Sequence, residues 1–287
     1  MKETLISIII VSYNSQDVID DCLRSIQENN DIGDRLEIIV VEQSRDEQLF
    51  RDLTERYPDI TVLRAENRGF GAGNNFGAEY AHGEILFFLN PDTIIEEPLF
   101  SFLEQQLQQD PRIGLAGVKL LSERGENISY NMCFPYGLKA KLKYVLYRKI
   151  DRFASGQMYI EGADLIIRKE VFHKINGFDE QIFMYFEEMD ICYRIQKAGY
   201  RIQYFPDKKI RHLQGKCTEG RYPAIFSKQL DSFIYVSRKH GFDYQKWLKR
   251  EQRYQRFRSK VMRILGRKGQ ADLSDELSRI AGAGAEK

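Results

Sequence analysis

No stretch of this sequence stays apolar long enough to cross a bilayer: runs such as residues 85–89 fall far short of the ~20 residues a spanning helix needs. Cysteine is sparse as well. Cys22, Cys133, Cys192 and Cys217 are scattered, with no C-x-x-C spacing, which excludes a zinc ribbon and a disulfide framework. Four reduced thiols in a cytosolic protein are expected, with Cys22 and Cys192 in the core. An excess of either charge is missing too. Lys and Arg number 43 against 42 Asp and Glu, and the resulting +1 gives no reason to expect nucleic-acid binding. No small-residue cleavage pattern follows residues 5–11, so no secretory leader is expected.

What the chain does carry is length and an alternating pattern. Its 287 residues, 43% of them hydrophobic, supply a core for one large α/β domain with an appendage. Residues 5–11 form an Ile-rich run, the pattern of a strand buried on both faces. Asn14 or Ser15 can cap a following helix, in which Val18, Cys22 and Ile26 recur every four residues. Further strands are predicted at 36–41, 61–63 and 84–89, with a turn at 69–73 and a helix from there to about residue 81. Strands alternating with helices imply βαβ units and a parallel sheet. Residues 113–215 read as mixed α/β, with strands at 118–121, 158–167 and 201–205 and a helix at 187–198 that Gly199 stops.

From about Arg238 the character changes to a basic amphipathic helix. Trp247, Tyr254, Phe257, Val261 and Leu265 fall near one face, among Lys246, Lys249, Arg250, Arg253, Arg256, Arg258, Lys260 and Arg263. Such a helix either packs on the main domain with a solvated basic face or attaches to an anionic membrane surface. Residues after Gly269 are expected to fray.

In a parallel sheet ligands sit beyond the carboxyl ends of the strands. The polar clusters Ser12-Tyr13-Asn14, Glu42-Gln43-Ser44 and Asn90-Pro91-Asp92 all fall there. Pro91 pins its φ and gives up an amide donor, so the chain turns where the strand ends and Asp92 is held at the sheet edge. A carboxylate there suits a hard divalent cation, Mg2+ or Mn2+, bridging two phosphates. Taken alone, the tripeptide would serve equally to begin a turn. Gly69, Gly71 and Gly73 miss the G-x-G-x-x-G spacing and follow the third strand rather than the first, which argues against a dinucleotide site. Glu187, Glu188 and Asp190 open a predicted helix, where the positive helix end favours carboxylates.

Taken in order, several segments resemble family 2 glycosyltransferases of the GT-A fold: residues 7–14, 67–75, 88–93, Gly162-Ala163, 177–180, 185–192, Arg194, 198–201 and His212. The resemblance is closest to the rhamnosyltransferase-like branch and covers roughly residues 5–217. It implies a mostly parallel, Rossmann-like nucleotide-sugar-binding half over 1–112, a mixed acceptor and catalytic half over 113–217, and a basic helical extension over 218–287. It further implies that Asp92 is a metal ligand, that Asn90 lies nearer the ribose, and that His212 completes metal or diphosphate binding. Ser12, Tyr13 and Asn14 are then expected to line the nucleotide pocket, with Asn67, Arg68, Gly73 and Asn75 around the glycine turn beside it. Glu42 stands where the family usually carries an Asp against the nucleobase, and is longer by a methylene. Glu188 occupies the position of the family's catalytic base, commonly Asp. Glu187 is the reserve, and Asp190 supports the helix start or the acceptor site.

The expected activity is an inverting, metal-dependent transfer of a sugar, rhamnose by resemblance, from a dTDP- or UDP-linked donor. The acceptor would be a growing cell-surface glycan or a lipid-linked sugar, met in the cytoplasm or on the cytoplasmic face of the membrane. The acceptor-facing segment is expected at 127–157, with Tyr130, Phe134, Tyr136 and Tyr144. A nucleotidyltransferase would need a Gly-rich, Arg- or Lys-bearing loop after the first strand, and Ser12-Tyr13-Asn14-Ser15 is not one. A catalytically inactive nucleotide-sugar-binding module is the remaining alternative.

Overall fold

Ile6–Ser12 (β1) is buried at every position, as a strand covered on both faces must be. The computed structural model describes residues 5–132, 138–213 and 222–286. After β1 come α1 (Ile19–Glu28), β2 (Leu36–Glu42), α2 (Gln48–Arg56), β3 (Thr61–Arg64), α3 (Phe70–Tyr80), β4 (Ile85–Leu89) and β5 (Thr93–Ile95). Then follow α4 (Phe100–Gln109), β6 (Ile113–Ser122), β7 (Tyr130–Met132), α5 (Leu138–Lys149), β8 (Met158–Ile160), β9 (Asp164–Arg168) and α6 (Lys169–Lys174). The chain continues through α7 (Glu187–Lys197), β10 (Arg201–His212), α8 (Tyr222–His240), α9 (Tyr244–Ile264) and α10 (Lys268–Glu286).

Eight strands form one sheet in the order β3-β2-β1-β4-β9-β6-β10-β5, and β7 pairs with β8 separately. Strands β1 to β4 are parallel; β9 runs antiparallel between β4 and β6, and β5 closes the far edge antiparallel to β10. This is the mostly parallel α/β sheet that the alternating pattern implied. Ile8, Ile10, Phe87, Leu103, Val118 and Ile166 share one buried cluster beneath the helices. Within β10 the register against β6 jumps: Phe205 faces Val118, but Lys209 faces Lys119, so Pro206, Asp207 and Lys208 bulge out of the ladder. A proline, lacking an N–H, fits such a place.

Three expectations need correcting. The glycine run is not a turn before a helix but the first turns of α3 itself. Glycine weakens a helix, yet a Cβ at Gly73 would meet Val11 Cγ2 at 2.9 Å, and one at Gly77 would meet Ile9 Cγ2 at 2.6 Å. Missing side chains let α3 lie directly on the sheet. The run 158–167 is two strands, β8 and β9, parted at Glu161-Gly162-Ala163. The tail does not fray: α10 packs on α9, burying Ala271, Leu277 and Ala281. Of the four thiols, Cys22 and Cys192 are buried and in no disulfide; Cys133 and Cys217 lie outside the described residues.

The chain divides into two compact units, Met1–Phe183 with Glu187–Cys217, and Met184–Phe186 with Thr218–Lys287. In the smaller unit Trp247 stacks on Phe233, ring centroids 4.5 Å apart, and Leu248, Gln255 and Ser259 are buried. The buried side of α9 is therefore the one that carries Leu248, Gln255 and Ser259, not the aromatic face expected from the sequence. Tyr254, Phe257 and Leu265 point away from that packing and are exposed.

Candidate functional site

Asp92 and His212 lie 120 residues apart in sequence and are brought together by one strand pairing. His212 ends β10 opposite Thr93, the first residue of β5. The Leu213 N–H donates to the Asp92 carbonyl at 2.9 Å, and His212 Nε2 lies 3.0 Å from Asp92 Oδ1. The bend is braced from within, because the Thr93 hydroxyl and N–H both donate to the Asn90 carbonyl, at 2.7 and 3.3 Å. Asn90 Oδ1 and His212 Nδ1 are both buried with no hydrogen-bond partner among the described residues. Buried polar atoms are rarely left so, and the Asn90 amide oxygen, two residues ahead of Asp92 at the bend, marks a place for a polar ligand. Nearby Cys22 takes no part in acid-base work, since burial pushes its thiol up to about 12.

A cavity of about 620 Å³ opens beyond the carboxyl ends of β1, β2 and β3. Tyr13 follows β1, Gln43, Ser44 and Arg45 follow β2, and Arg64 ends β3 with Ala65 to Asn67 after it, so the parallel ladder itself gathers them; Phe183 adds a further wall. Beneath this rim Glu42 is wholly buried: its carboxylate accepts the Ser12 hydroxyl and, at 2.6 Å, the Ser44 N–H. Ser44 Oγ in turn accepts the Asn14 N–H at 2.8 Å, with Asn14 held at φ 53°. Glu42 thereby shapes the loop that carries Gln43 and Ser44.

Of the residues expected around the nucleotide, Tyr13 and Asn67 line this cavity. Asn67 Oδ1 accepts the Gly69 N–H at 3.1 Å and turns the chain into α3. Gly69 sits at φ 109° with the Phe183 carbonyl 2.3 Å from where a Cβ would be, so only glycine fits. Gly73 and Asn75 are elsewhere. Gly73 packs on Val11 and Gln43, and the Asn75 amide is spent on Phe178 O at 2.9 Å, Phe178 N at 2.8 Å and Glu180 at 3.2 Å. Arg68 pairs with Glu180 at 2.9 Å and borders a smaller adjoining cavity. The sequence reading missed Arg45, Arg64 and Phe183. Their position at or just past strand ends was the available signal for the two arginines.

The acidic group lies at the start of α7. Tyr185 and Phe186, directly ahead of it, both hold positive φ, 71° and 67°. Bulky residues there cost about 1–3 kcal/mol each, strain that gathers at functional sites. Glu187 and Glu188 follow, 6% and 9% exposed. Burial, reinforced by the charge of Glu188, drives the Glu187 carboxyl well above the usual range. Asp190, grouped with the catalytic acids and expected to support the helix start or the acceptor site, is wholly buried and ion-paired to Arg194 at 2.7 Å, and Arg194 also donates to the Ile175 carbonyl. Asp190 anchors the helix. A loop stitches the acids to the Asp92 bend: the Asn90 N–H donates to Ala163 O at 3.1 Å, while a Cβ at Gly162 would stand 3.6 Å from Glu188 Cβ.

Residues 3–231 match the family model described as glycosyltransferase like family 2. The rhamnosyltransferase WbbL of Escherichia coli strain K12 is 25% identical over 253 residues, 82% of this chain and 94% of that one. An N-acetylglucosaminyl-diphospho-decaprenol L-rhamnosyltransferase of Mycobacterium tuberculosis is 32% identical over 85 residues, 29% of this chain and 27% of that one. A mannosyltransferase of Pyrobaculum calidifontis, solved with GDP-Man and Mn2+, superposes with a TM-score of 0.61 at 20% identity, over 83% of this chain and 64% of that one. The chain thus spans nearly all of the first relative but less than two thirds of the second and of the solved structure. At 20% identity the last likeness speaks for the fold alone, and it agrees with the sheet described above. With some four-fifths of its length under one family model, the chain belongs to glycosyltransferase family 2, and it is a nucleotide-sugar glycosyltransferase built on the GT-A fold.

Proposed function

We propose that this enzyme is an inverting transferase that moves rhamnose from a dTDP donor to a lipid-linked or growing surface glycan, with Asp92 and His212 holding a divalent cation and Glu188 as base. The observation that carries this reading is the loop joining the two halves of the site. Through Ala163 it fixes the Asp92 bend, and through Gly162 it lies against Glu188, so leaving group and acceptor would meet at its two ends. Asp92 Oδ1 and His212 Nε2, 3.0 Å apart, are the pair that would hold the ion, and a carboxylate with an imidazole suits Mn2+ or Mg2+. Bound there, the ion would neutralise charge on the departing diphosphate. The relatives named rhamnosyltransferase support the donor sugar, and the decaprenol-linked acceptor in one such name supports a lipid-linked acceptor.

The chain's own groups divide the remaining work. Tyr13, Arg45, Arg64 and Asn67 would bind the nucleoside end of the donor in the cavity past β1 to β3. Glu188 would take the proton from the acceptor hydroxyl as that oxygen bonds to the anomeric carbon, and the diphosphate leaves with the electron pair. At a hundredfold excess over Kd, donor binding is worth about 2.7 kcal/mol. A panel of dTDP-, UDP- and GDP-sugars, each with Mn2+, should therefore show the largest rise in melting temperature with dTDP-rhamnose, and free dTDP should appear once acceptor is added. No rise with any dTDP- or UDP-sugar would overturn the reading.

Membrane contact is a second part of the proposal. Helix α9 carries eight Lys or Arg against one Glu. Phe257 and Ile264, 67% and 84% exposed, stand among Arg253, Arg256 and Lys260 on its outer side. An apolar residue set in a basic face is the pattern of a helix lying in an anionic headgroup layer. Vesicles containing phosphatidylglycerol should bind the protein and release it as salt rises, and Phe257→Ser should weaken binding roughly tenfold. Equal binding to neutral vesicles, or none, would remove this assignment.

A further inference from the structure

Helix α5 has one side in use and one side bare. The Tyr144 hydroxyl donates to the Tyr130 carbonyl at 3.2 Å and to Asn131 Oδ1 at 3.1 Å, which fastens the helix to β7. Lys143 Nζ donates to Gln157 Oε1 at 2.6 Å, just ahead of β8, and the Arg148 guanidinium donates to the Asn127 carbonyl. Lys143, Tyr144 and Arg148 are thus the inner face, each held to the β7–β8 ribbon or the chain that leads into it.

Leu142, Val145, Leu146 and Ile150 recur at the i, i+3, i+4 and i+8 spacing of the opposite face. The helical turn reaches the last of them, because the Ile150 N–H donates to the Leu146 carbonyl at 3.1 Å. These four side chains are 62%, 46%, 53% and 55% exposed. One exposed leucine needs no explanation, but four apolar residues aligned on one helix mark a surface that meets something.

Charge decides what that is. Helix α5 carries Lys139, Lys141, Lys143, Arg148 and Lys149 and no acid at all. Lys149 and, just past the helix, Arg152 are exposed. The first acid after α5, Asp151, is engaged by Lys119 at 2.5 Å and by the Tyr204 hydroxyl at 2.8 Å. A second copy seated face to face on this helix would set cation against cation. An anionic headgroup layer satisfies both features, since its phosphates meet the cations while the apolar stripe enters the acyl boundary. Twelve helical residues, about 18 Å, lie along such a layer.

We propose that the outer face of α5 seats the larger unit on an anionic bilayer, with Leu142, Val145, Leu146 and Ile150 between the headgroups and the acyl chains. This surface is separate from the α9 contact, because α5 belongs to the larger compact unit and α9 to the smaller. Neither assignment requires the other.

Leu142→Ser combined with Leu146→Ser should weaken binding of the full chain to phosphatidylglycerol-containing vesicles roughly tenfold, at an unchanged melting temperature. Lys149→Glu should weaken it several-fold at low salt and little at high salt. A direct probe is Leu146→Trp, since the chain otherwise holds one tryptophan, Trp247. Lipids with brominated acyl chains should quench its emission more than they quench the wild type. Full binding by the folded double-serine variant, or quenching no greater than in the wild type, overturns the inference, and each readout stands if the other variant fails to fold. Loss of a dimer in the double-serine variant, with vesicle binding intact, gives the face to a second copy instead. If Phe257→Ser weakens binding and the α5 variant does not, α9 alone touches lipid; the reverse result leaves α5 alone.

Discussion

Glu188→Gln should lower turnover about a thousandfold while donor binding stays near the wild-type value. General-base catalysis contributes about 10²–10⁴-fold, and an amide of the same shape cannot accept the acceptor proton. Glu188 is nearly buried and lies against a residue with no side chain, so the substitution leaves packing intact. Glu187 should matter less. Burial, reinforced by the charge of Glu188, drives its carboxyl well above the usual range, which favours the protonated form and weakens its claim as the base. Glu187→Gln is expected to cost about tenfold or less, since a neutral amide replaces a carboxyl that burial already favours in its neutral form. Rates measured with both variants decide between them. If Glu187→Gln loses the activity and Glu188→Gln keeps it, the base is the other residue.

Asp92→Asn should uncouple the donor from the divalent ion. In the wild type, Mn2+ should enlarge the melting-temperature rise that dTDP-rhamnose produces, and a chelator should reverse the gain. In the variant the donor's effect should be the same with Mn2+ or chelator, and turnover should fall by about two to three orders of magnitude, the loss of about 3–4 kcal/mol of transition-state stabilisation. The backbone at the bend is held by Thr93 and Leu213 through carbonyl oxygens, so the side-chain change does not loosen it. A variant that still responded to Mn2+ as the wild type does would move the metal site away from this bend.

The parallel half was legible because residues 8–11, 38–41 and 85–89 are continuous apolar runs bounded by polar residues, and burial on both faces demands that. The Thr93–Ile95 strand was not, since three residues show no period, yet it brings Asp92 to His212. The first turn of α3 was read as a loop turn because glycine disfavours helices; only the contact with Ile9 and Val11 explains why glycine is there. Local pattern also could not show Arg45 and Arg64 facing one cavity, because that pairing is made by strands meeting across the sheet. The Asp92–His212 pair was reached through resemblance, whereas the burial of Asp190 against Arg194 went unforeseen.

The bulge at Pro206, Asp207 and Lys208 has a consequence of parity. Phe205 and His212 are seven steps apart on β10, an odd number that in a regular strand would send them to opposite sides. Their partners on β6, Val118 and Ser122, are four steps apart, so the three looped-out residues restore the match and His212 shares a side with Phe205 and Ile210. A one-residue slip in the pairing beyond that loop would turn the imidazole through the sheet, leaving the Asp92 bend with its partner facing the wrong way.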